Sequence, residues 1–285
     1  MVASLWASSL HAVAEPSIRW LVWDFKPDFI EEGPYKHQGY GDKLLAYLKT
    51  SLPQYKHTQL YVNGKRWAVE ALRSQTCTPL LWLGFLPKNI VYSKAYGVTA
   101  PYVLVAHGKK SDLIGKPGDL VSLEHILQKR SLTLGVLPVY FDATKTNTRY
   151  PVLHSYIAPY IGTKKVMEFG GGTNQLNLKL LDADRVDYVI ENPLTAPTQA
   201  KLNNTHNPYI NYRLTEHRVH KKIAIACNND EFGRHVIDQI NPLITDEFIK
   251  MFLINMEEWN GQDANFRKTV MDYFIYGVDT GEIVN

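Results

Sequence analysis

The stretch RVDYVIENP, residues 185–193, places a short apolar run between charged and polar residues. The apolar run at 188–190 is too short for a helix and ends just before a proline, so it predicts a buried strand. Glu191 and Asn192 follow this strand directly. Because ligands bind outside the carboxyl ends of strands in open α/β sheets, the stretch predicts an α/β fold with a ligand site beside these two residues.

Strands and helices alternate along the rest of the chain. Apolar runs predict strands at 18–23, 60–62, 80–86, 102–106, 132–137, 165–169 and 222–227. Helical spacing of apolar residues predicts helices beginning at 42 and covering 65–74, 123–129, 194–202, 230–240, 246–259 and 265–276. A further helix is expected from about 173 to 181, and 201–211 looks like a loop. The alternation predicts a largely parallel sheet.

Composition and charge restrict the classes of function. The chain has 285 residues, enough for two ordinary domains, and a net charge of only +3. Its basic residues are scattered, so no nucleic-acid partner is expected. No run of about 18 apolar residues is available to span a membrane. The sequence has no nucleophile elbow, Walker loop or HExxH motif, and two cysteines alone make no metal site. We therefore expect neither an enzyme nor a cofactor or metal.

The first 14 residues differ from the rest, since they are mostly small or apolar. An A-x-A cleavage pattern at 12–14 precedes Glu15, although no positively charged region comes before it. We expect a signal-peptide remnant and hence an exported, periplasmic protein whose mature chain starts near Glu15. In an exported protein the two cysteines, Cys77 and Cys227, favour one disulfide, and two separate buried thiols are the alternative.

Five short motifs carry a family resemblance: WDFKPDF at 23–29, GYGD at 39–42, VYSKAY at 91–96, LGV at 134–136 and RVDYVI at 185–190. They resemble segments of the amino-acid-type (family 3) extracellular solute-binding proteins. The matching segments are, in order, the loop after the first strand, the start of the first helix, the element before the first hinge and two strands of the second domain. Ala95 stands where that family usually has proline. The resemblance covers nearly all of the mature chain and implies a two-lobed type II periplasmic-binding-protein fold.

The resemblance also implies a layout. Residues 15–102 and 213–285 would form a first lobe and 103–212 a second, with a ligand cleft between them and hinge crossings near Tyr102 and Tyr212. Both cysteines fall in the first lobe, which implies a bridge from Cys77 to Cys227. The implied protein is a monomer that captures a small molecule for an ABC permease. A sensing module that docks on a membrane receptor is the alternative.

The family's charged binding residues are only partly matched. Where the family has an arginine for the ligand carboxylate, this chain has LPKN at 86–89, so Lys88 and Asn89 become candidates. Lys88 is equally well explained as a solvated loop lysine. The family's ammonium-binding aspartate falls near Asn192, whose amide cannot neutralise a cation. Glu191 either takes a cationic group in the cleft or is a solvated strand end.

Aromatic side chains complete the candidate site. Trp23, Phe25, Tyr40 and Tyr140 could stack on a ligand or pack within their own lobes. Trp82 is expected in the core, and His217 is expected to form a surface pair with His220. The implied ligand is a small polar molecule, an amino-acid derivative or short peptide. Free α-amino acids are expected to bind weakly, because a buried ligand charge without a partner is costly.

Overall fold

The computed structural model describes residues 15–23, 25–85, 88–129, 131–140, 145, 148–170, 175–260 and 263–285. Residues 1–14, the expected signal remnant, lie outside the described residues. Within the described ranges, no helix has both the length and the apolar character needed to cross a membrane.

The strands of the described residues belong to two sheets. Their bounds are β1 Ser17–Trp23, β2 Lys56–Val62, β3 Thr76–Trp82, β4 Ile90–Tyr92, β5 Gly97–Thr99, β6 Val103–His107, β7 Leu120–Val121, β8 Leu134–Val136, β9 Val166–Glu168, β10 Tyr188–Glu191, β11 Tyr209–Leu214, β12 His220–Asn228 and β13 Ile283–Val284.

Helices connect these strands, and several begin at a capping side chain. Asp230, for example, accepts a hydrogen bond from the Gly233 N–H at 2.7 Å and satisfies a donor that the helix leaves open. The helices are α1 Tyr40–Ser51, α2 Gly64–Glu70, α3 Ser111–Ile114, α4 Leu123–Lys129, α5 His154–Ile157, α6 Lys179–Asp182, α7 Thr195–Asn203, α8 Glu231–Ile240, α9 Asp246–Asn260 and α10 Ala264–Phe274.

The first sheet has the order β13-β12-β3-β1-β2, and β4 and β5 also pair with β12. β1 runs parallel to β2 and β3, whereas β12 runs antiparallel to β3, β4 and β5. The expected largely parallel sheet is therefore wrong. The chain leaves this sheet after β5 and returns through β12 in the opposite direction, so strands from both ends of the chain share one mixed sheet.

The second sheet has the order β7-β11-β6-β10-β8-β9. All of its strands lie between Val103 and Leu214, so the chain changes sheets between Thr99 and Val103 and again between Leu214 and His220. We call the parts of the chain that carry the first and second sheets the first lobe and the second lobe. The lobe boundaries expected at residues 102 and 213 stay a prediction.

Each lobe has its own buried core. In the first lobe, Leu44 and Leu48 of α1 belong to one cluster with Phe248 and Phe252 of α9. In the second lobe, alternate residues of β10 enter different clusters, with Tyr188 and Ile190 in one and Val189 in the other. Since successive strand residues point to opposite faces, β10 is buried on both faces. The buried strand predicted from RVDYVIENP is confirmed.

A disulfide joins Cys77 of β3 to Cys227 of β12. The two residues are direct partners in the antiparallel pairing, with Cα atoms 4.0 Å apart. The predicted bridge is confirmed, and the alternative of two separate thiols is wrong. Because the bridge spans 150 residues of sequence, it restricts the unfolded chain strongly and is worth about 5 kcal/mol of stability in the chain-entropy account.

Tryptophan is distributed unevenly between the lobes. The tryptophans among the described residues all lie in the first lobe, at positions 20, 23, 67, 82 and 259, and residues 103–212 contain none. Trp20 and Trp67 are fully buried, whereas Trp23 and Trp82 are partly exposed where β1 and β3 end. Trp23 and Trp82 therefore lie at the carboxyl ends of two neighbouring strands, β1 and β3.

Three local predictions are wrong. The strand expected at 80–86 is β3, which ends at Trp82 because the chain turns at 83–85 with Gly84 at a φ of +83°, an angle that glycine adopts readily. The helix expected from about 173 is only α6 among the described residues, which exclude 171–174. The loop expected up to 211 instead enters β11 at Tyr209, because pairing with β6 overrides its polar composition.

Candidate ligand-binding site

A cavity of about 150 Å³ lies between the two sheets. Its first-lobe wall includes Trp23 and Trp82, the last residues of β1 and β3, and its second-lobe wall includes 190–192 at the end of β10 and Leu137 just after β8. The carboxyl ends of strands from both sheets therefore meet at this cavity. The position is the one at which open α/β sheets bind ligands.

Aromatic rings form much of the wall. Trp23 stacks on buried Trp67 with ring centroids 5.2 Å apart. Trp82 meets Tyr102 edge-on at 6.5 Å, and Tyr102 contacts Tyr150 of the second lobe at 5.4 Å. Such rings present flat apolar surface to whatever fills the cavity. The Phe, Tyr and Trp residues of the lining are Trp23, Phe25, Tyr40, Trp82, Phe85, Tyr102 and Tyr150.

Asp28 contributes a buried carboxyl group from the loop after β1. Its Oδ1 accepts a hydrogen bond from the Tyr40 hydroxyl, and its side chain lines the cavity. Burial raises the pKa of Asp28 to about 7, although the hydrogen bond from Tyr40 opposes this rise. The loop lies tightly against the start of α1, since a Cβ on Gly39 would come within 2.4 Å of the Asp28 carbonyl oxygen.

Glu191 contributes a second buried carboxyl group from the opposite lobe. Its Oε1 accepts from the Leu176 N–H at 2.9 Å, and its Oε2 accepts from the Thr195 hydroxyl at 3.2 Å. Burial raises the pKa of Glu191 to about 7 against these hydrogen bonds. Glu191 is therefore not a solvated strand end. The neighbouring Asn192 also lines the cavity, and its Oδ1 accepts from the Leu194 N–H at 2.9 Å in the turn before α7.

Three basic side chains line the same cavity, namely Arg149, His217 and Lys221. The positive charge of Arg149, in the second lobe, opposes the raised pKa of Glu191. Lys221 belongs to β12, and its Nζ lies 5.4 Å from the centroid of the Trp82 ring. Burial lowers the pKa of Lys221, and it lowers the pKa of His217 to about 4, so the imidazole is neutral at pH 7.

Tyr102 and His217 connect the two places where the chain changes sheets. The Tyr102 N–H donates to His217 Nδ1 at 3.1 Å, and the two rings lie 5.6 Å apart. A hydrogen bond and a ring contact thus join the crossing after β5 to the crossing before β12. Elsewhere in the described ranges, no group of three or more His, Cys, Asp and Glu side chains is arranged to hold a metal ion.

No protein-family model and no curated protein matches this chain. Solved structures do match, among them an ABC uptake transporter substrate-binding protein from Streptococcus pneumoniae with bound histidine. Its TM-score is 0.60 at 17% identity, over 87% of this chain and 93% of that one. A mutant of ArgBP from T. maritima gives 0.59 at 16% identity, over 87% and 96% of the two chains.

The periplasmic domain of BvgS from B. pertussis also matches, with a TM-score of 0.58 at 14% identity. The match covers 92% of this chain but 45% of that longer chain. The chain has the two-lobed type II periplasmic-binding-protein fold. The predicted fold class is confirmed, and in this periplasmic-binding-protein fold the cavity between the sheets is the cleft between the lobes.

The cleft includes five of the residues predicted from the sequence. Trp23, Phe25, Glu191 and Asn192 line it together with Tyr40. Tyr40 is only 3% exposed, and its ring packs edge-on against Phe252 at 5.6 Å, so its hydroxyl acts here by holding Asp28.

Three predicted residues do not line the cleft. Lys88 and Asn89 are exposed, and their carbonyl oxygens accept hydrogen bonds from Asn229. β3 ends at Trp82, and Phe85 is the last described residue of the following turn that lines the cavity. Tyr140 is half-buried and forms a 2.7 Å hydrogen bond between its hydroxyl and His154 Nε2. A ligand role for these three residues stays a prediction.

Four charged or titratable cleft residues were not predicted, namely Asp28, Arg149, His217 and Lys221. Asp28 lies within the WDFKPDF motif, so its position could have been found there. Lys221 begins an alternating strand in which it and Lys222 face opposite sides, but the sequence does not say which side faces the cleft. His217 was expected at the surface but lines the cavity, whereas Trp82 packs against the first-lobe core, as expected, and also lines the cavity.

Proposed function

We propose that the protein captures a small organic ligand in the cleft and closes its two lobes on that ligand by a hinge motion. The observation that carries the proposal is the cavity to which both lobes contribute strand ends, aromatic rings and charged side chains. Such a combination of apolar wall and few polar groups is typical of ligand sites. Binding is favoured over catalysis, because the sequence has no nucleophile elbow, Walker loop or HExxH motif and the matching solved structures include substrate-binding proteins.

The volume of the cavity limits the size of the ligand. About 150 Å³ corresponds to the space of about five water molecules in the liquid. Of the two ligand classes expected from the sequence, an amino-acid derivative suits this volume better than a short peptide. Free α-amino acids are still predicted to bind weakly, since the amide of Asn192 supplies no negative charge for their ammonium group.

Export and delivery to an ABC-type permease complete the proposal. The disulfide between Cys77 and Cys227 supports export, because such bonds persist in oxidising compartments such as the periplasm. Histidine is bound in one similar structure, an ABC uptake transporter substrate-binding protein. That likeness shows only a shared fold. The uptake role of this chain is our inference, made from the likeness and from the chemistry of the cleft together.

A sensing module on a membrane receptor is the second candidate. One similar structure is a periplasmic domain, and the match covers only 45% of that chain, so a module of this fold also occurs within a longer chain. A neighbouring permease gene would support uptake, whereas a neighbouring receptor kinase or cyclase gene would support sensing.

Mass spectrometry of the natively purified full chain tests the binding function. We expect a co-purifying small molecule that, when added back, raises the melting temperature and reduces the radius of gyration in X-ray scattering. Tight binding without a change in shape would refute hinge closure. A chain that carries no ligand, and binds none from a library of amino-acid derivatives, would refute the binding function itself.

A further inference from the structure

The charges around the cleft point to the class of ligand, an inference that rests on the proposed binding function. We propose that the cleft takes a small planar organic anion, one ring bearing a single carboxylate and no ammonium group. Lys221 and Arg149 balance the carboxylate charge, and the ring packs against the aromatic wall formed by Trp82 and Tyr102.

Lys221 is the first support. Its side chain is half-buried in the cavity wall, and among the described residues no carboxylate forms an ion pair with it. The contact of its Nζ with the Trp82 ring, at 5.4 Å, offsets only part of the cost of removing an ammonium from water. An anion in the cavity would provide the missing opposite charge.

Arg149 adds positive charge from the other lobe. Its Nε donates to the Pro138 carbonyl oxygen at 3.4 Å, which fixes the side chain, and its charge acts on Glu191 and Tyr150 inside the cleft. An anion balanced by Lys221 and Arg149 would be held by both lobes at once. Because such a ligand interacts more strongly with the closed form than with the open one, it would favour closure.

The two carboxyl groups of the cleft are poorly available to a ligand ammonium. Asp28 already accepts from the Tyr40 hydroxyl, and both oxygens of Glu191 accept hydrogen bonds from the protein. The raised pKa values of both groups, about 7, mean that neither carries a full negative charge at neutral pH. A zwitterion would therefore bring a cation that lacks a ready partner.

The aromatic wall and the volume of the cavity both favour a single ring as the apolar part of the proposed anion. Trp82 and Tyr102 lie beside these two basic residues, since Lys221 Nζ lies over the Trp82 ring and the Tyr102 hydroxyl approaches the backbone carbonyl oxygen of Arg149 at 3.5 Å. A cavity of about 150 Å³ is also the size that is known to hold a benzene ring in an apolar core. A ring with one short carboxylate arm matches both features.

Calorimetric titration of the full chain with three matched compounds tests the inference at neutral pH. Phenylacetate is the anion, phenylacetamide is its neutral counterpart, and phenylglycine adds the ammonium group. We expect phenylacetate to bind and each of the other two to bind weaker by about tenfold or more. Equal or tighter binding of phenylglycine would overturn the proposal, as would no binding of phenylacetate.

Two lysine variants then locate the charge. Lys221→Met replaces the ammonium by an apolar side chain of similar length. The variant should bind phenylacetate about tenfold more weakly and should bind phenylacetamide with unchanged affinity. Lys222→Met is the matched control, because Lys222 points to the other face of β12, where its Nζ donates to Asn285 Oδ1 at 3.0 Å. Unchanged phenylacetate binding in Lys221→Met would overturn the assignment.

The comparison of ligands on the unaltered chain stands even if a variant fails to fold. The proposed function is judged separately by the co-purified molecule. If a bound zwitterion or cation closes the lobes, the proposed binding function stands and the proposal of an anionic ligand is refuted. A chain without any ligand would refute both.

Discussion

The two lobes solve the same packing problem with different means. In the first lobe, β1, β2, β3 and β12 are seven to nine residues long, a disulfide joins β3 to β12, and one large cluster includes residues from α1, α8, α9 and α10. In the second lobe the strands have two to six residues and no described disulfide joins them, while the core of each lobe is divided into two clusters. Both lobes nevertheless present one buried carboxyl group to the cleft. The first lobe therefore differs from the second in its longer strands and in the covalent link between β3 and β12.

Of all the changes, removal of the disulfide should reduce the difference between the two lobes most. Replacing Cys77 and Cys227 together by alanine should lower the free energy of unfolding by about 5 kcal/mol, because the unfolded chain gains the freedom of a long loop. Urea unfolding followed by far-UV circular dichroism measures the change, with the reduced unaltered chain as control. A loss below about 1 kcal/mol would mean that the first lobe does not owe its stability to the bridge.

The two buried carboxyl groups should give the next largest effect, as a dependence of stability on pH. Their pKa values are raised from 3.8 and 4.5 to about 7, so the native state keeps protons that the unfolded chain releases. The free energy of unfolding should therefore fall as the pH rises from about 4 to about 7, by about 3 kcal/mol for each group. Urea unfolding at several pH values across this window measures the slope.

Variants in which one carboxyl group is replaced by a neutral amide show which lobe produces this dependence of stability on pH. Asp28→Asn should remove the first-lobe share and Glu191→Gln the second-lobe share, since the Asn oxygen can accept from Tyr40, the Gln oxygen can accept from the Leu176 N–H, and the Gln NH2 can donate to the Thr195 hydroxyl. Each variant should be more stable than the unaltered chain at about pH 8 and similar to it at about pH 4. Variants that unfold with the original slope would show that these groups are not the origin of the pH dependence.

Replacing one buried tyrosine in each lobe should change the stability by a smaller amount and extends the comparison of the lobes. Tyr96 in the first lobe and Tyr188 in the second are both fully buried, but only Tyr96 has a partner, the Pro79 carbonyl oxygen at 2.7 Å. The hydroxyl of Tyr188 has no hydrogen-bond partner among the described atoms. Tyr96→Phe should cost about 1 kcal/mol, whereas Tyr188→Phe should be neutral or stabilise by up to about 1 kcal/mol. The same sign for both variants in thermal unfolding would contradict this difference.

The sequence predicted the parts of the fold that depend on local pattern. Strand β10 follows from three apolar residues and a proline, and the strand-end rule then places Glu191 and Asn192 at the cleft. The helices α8 and α9 follow equally well from the spacing of their apolar residues. These predictions succeed because burial on one face or on both leaves a direct mark in the sequence.

The position of β3 could not be read in this way. Its first half, TCTP, looks unlike a buried strand, because Pro79 lacks the N–H that sheet pairing needs. In the structure, the pairing with β12 shifts register between Ala224 and Ala226, and the Ile225 N–H and carbonyl oxygen bond instead to Ser93. A partner distant in sequence thus satisfies these backbone groups.

The charged residues of the cleft were missed for the same reason. Arg149 lies in an irregular segment and Lys221 at the start of a returning strand, so both reach the cavity through tertiary contacts alone. The choice of Lys88 and Asn89 rested on matching LPKN to the arginine segment of the family, and among the described residues neither lines the cavity.

Among the described residues, tryptophan occurs in the first lobe alone, and this distribution allows cleft closure to be followed by fluorescence. Residues 103–212 contain tyrosines but no tryptophan, while Trp23 and Trp82 border the cleft from the other side. Energy absorbed by second-lobe tyrosines such as Tyr150 can pass to these indoles, and the efficiency of that transfer falls steeply with distance. The unlabelled chain therefore carries a donor and an acceptor on opposite lobes, so that indole emission excited through tyrosine should brighten as the lobes approach each other.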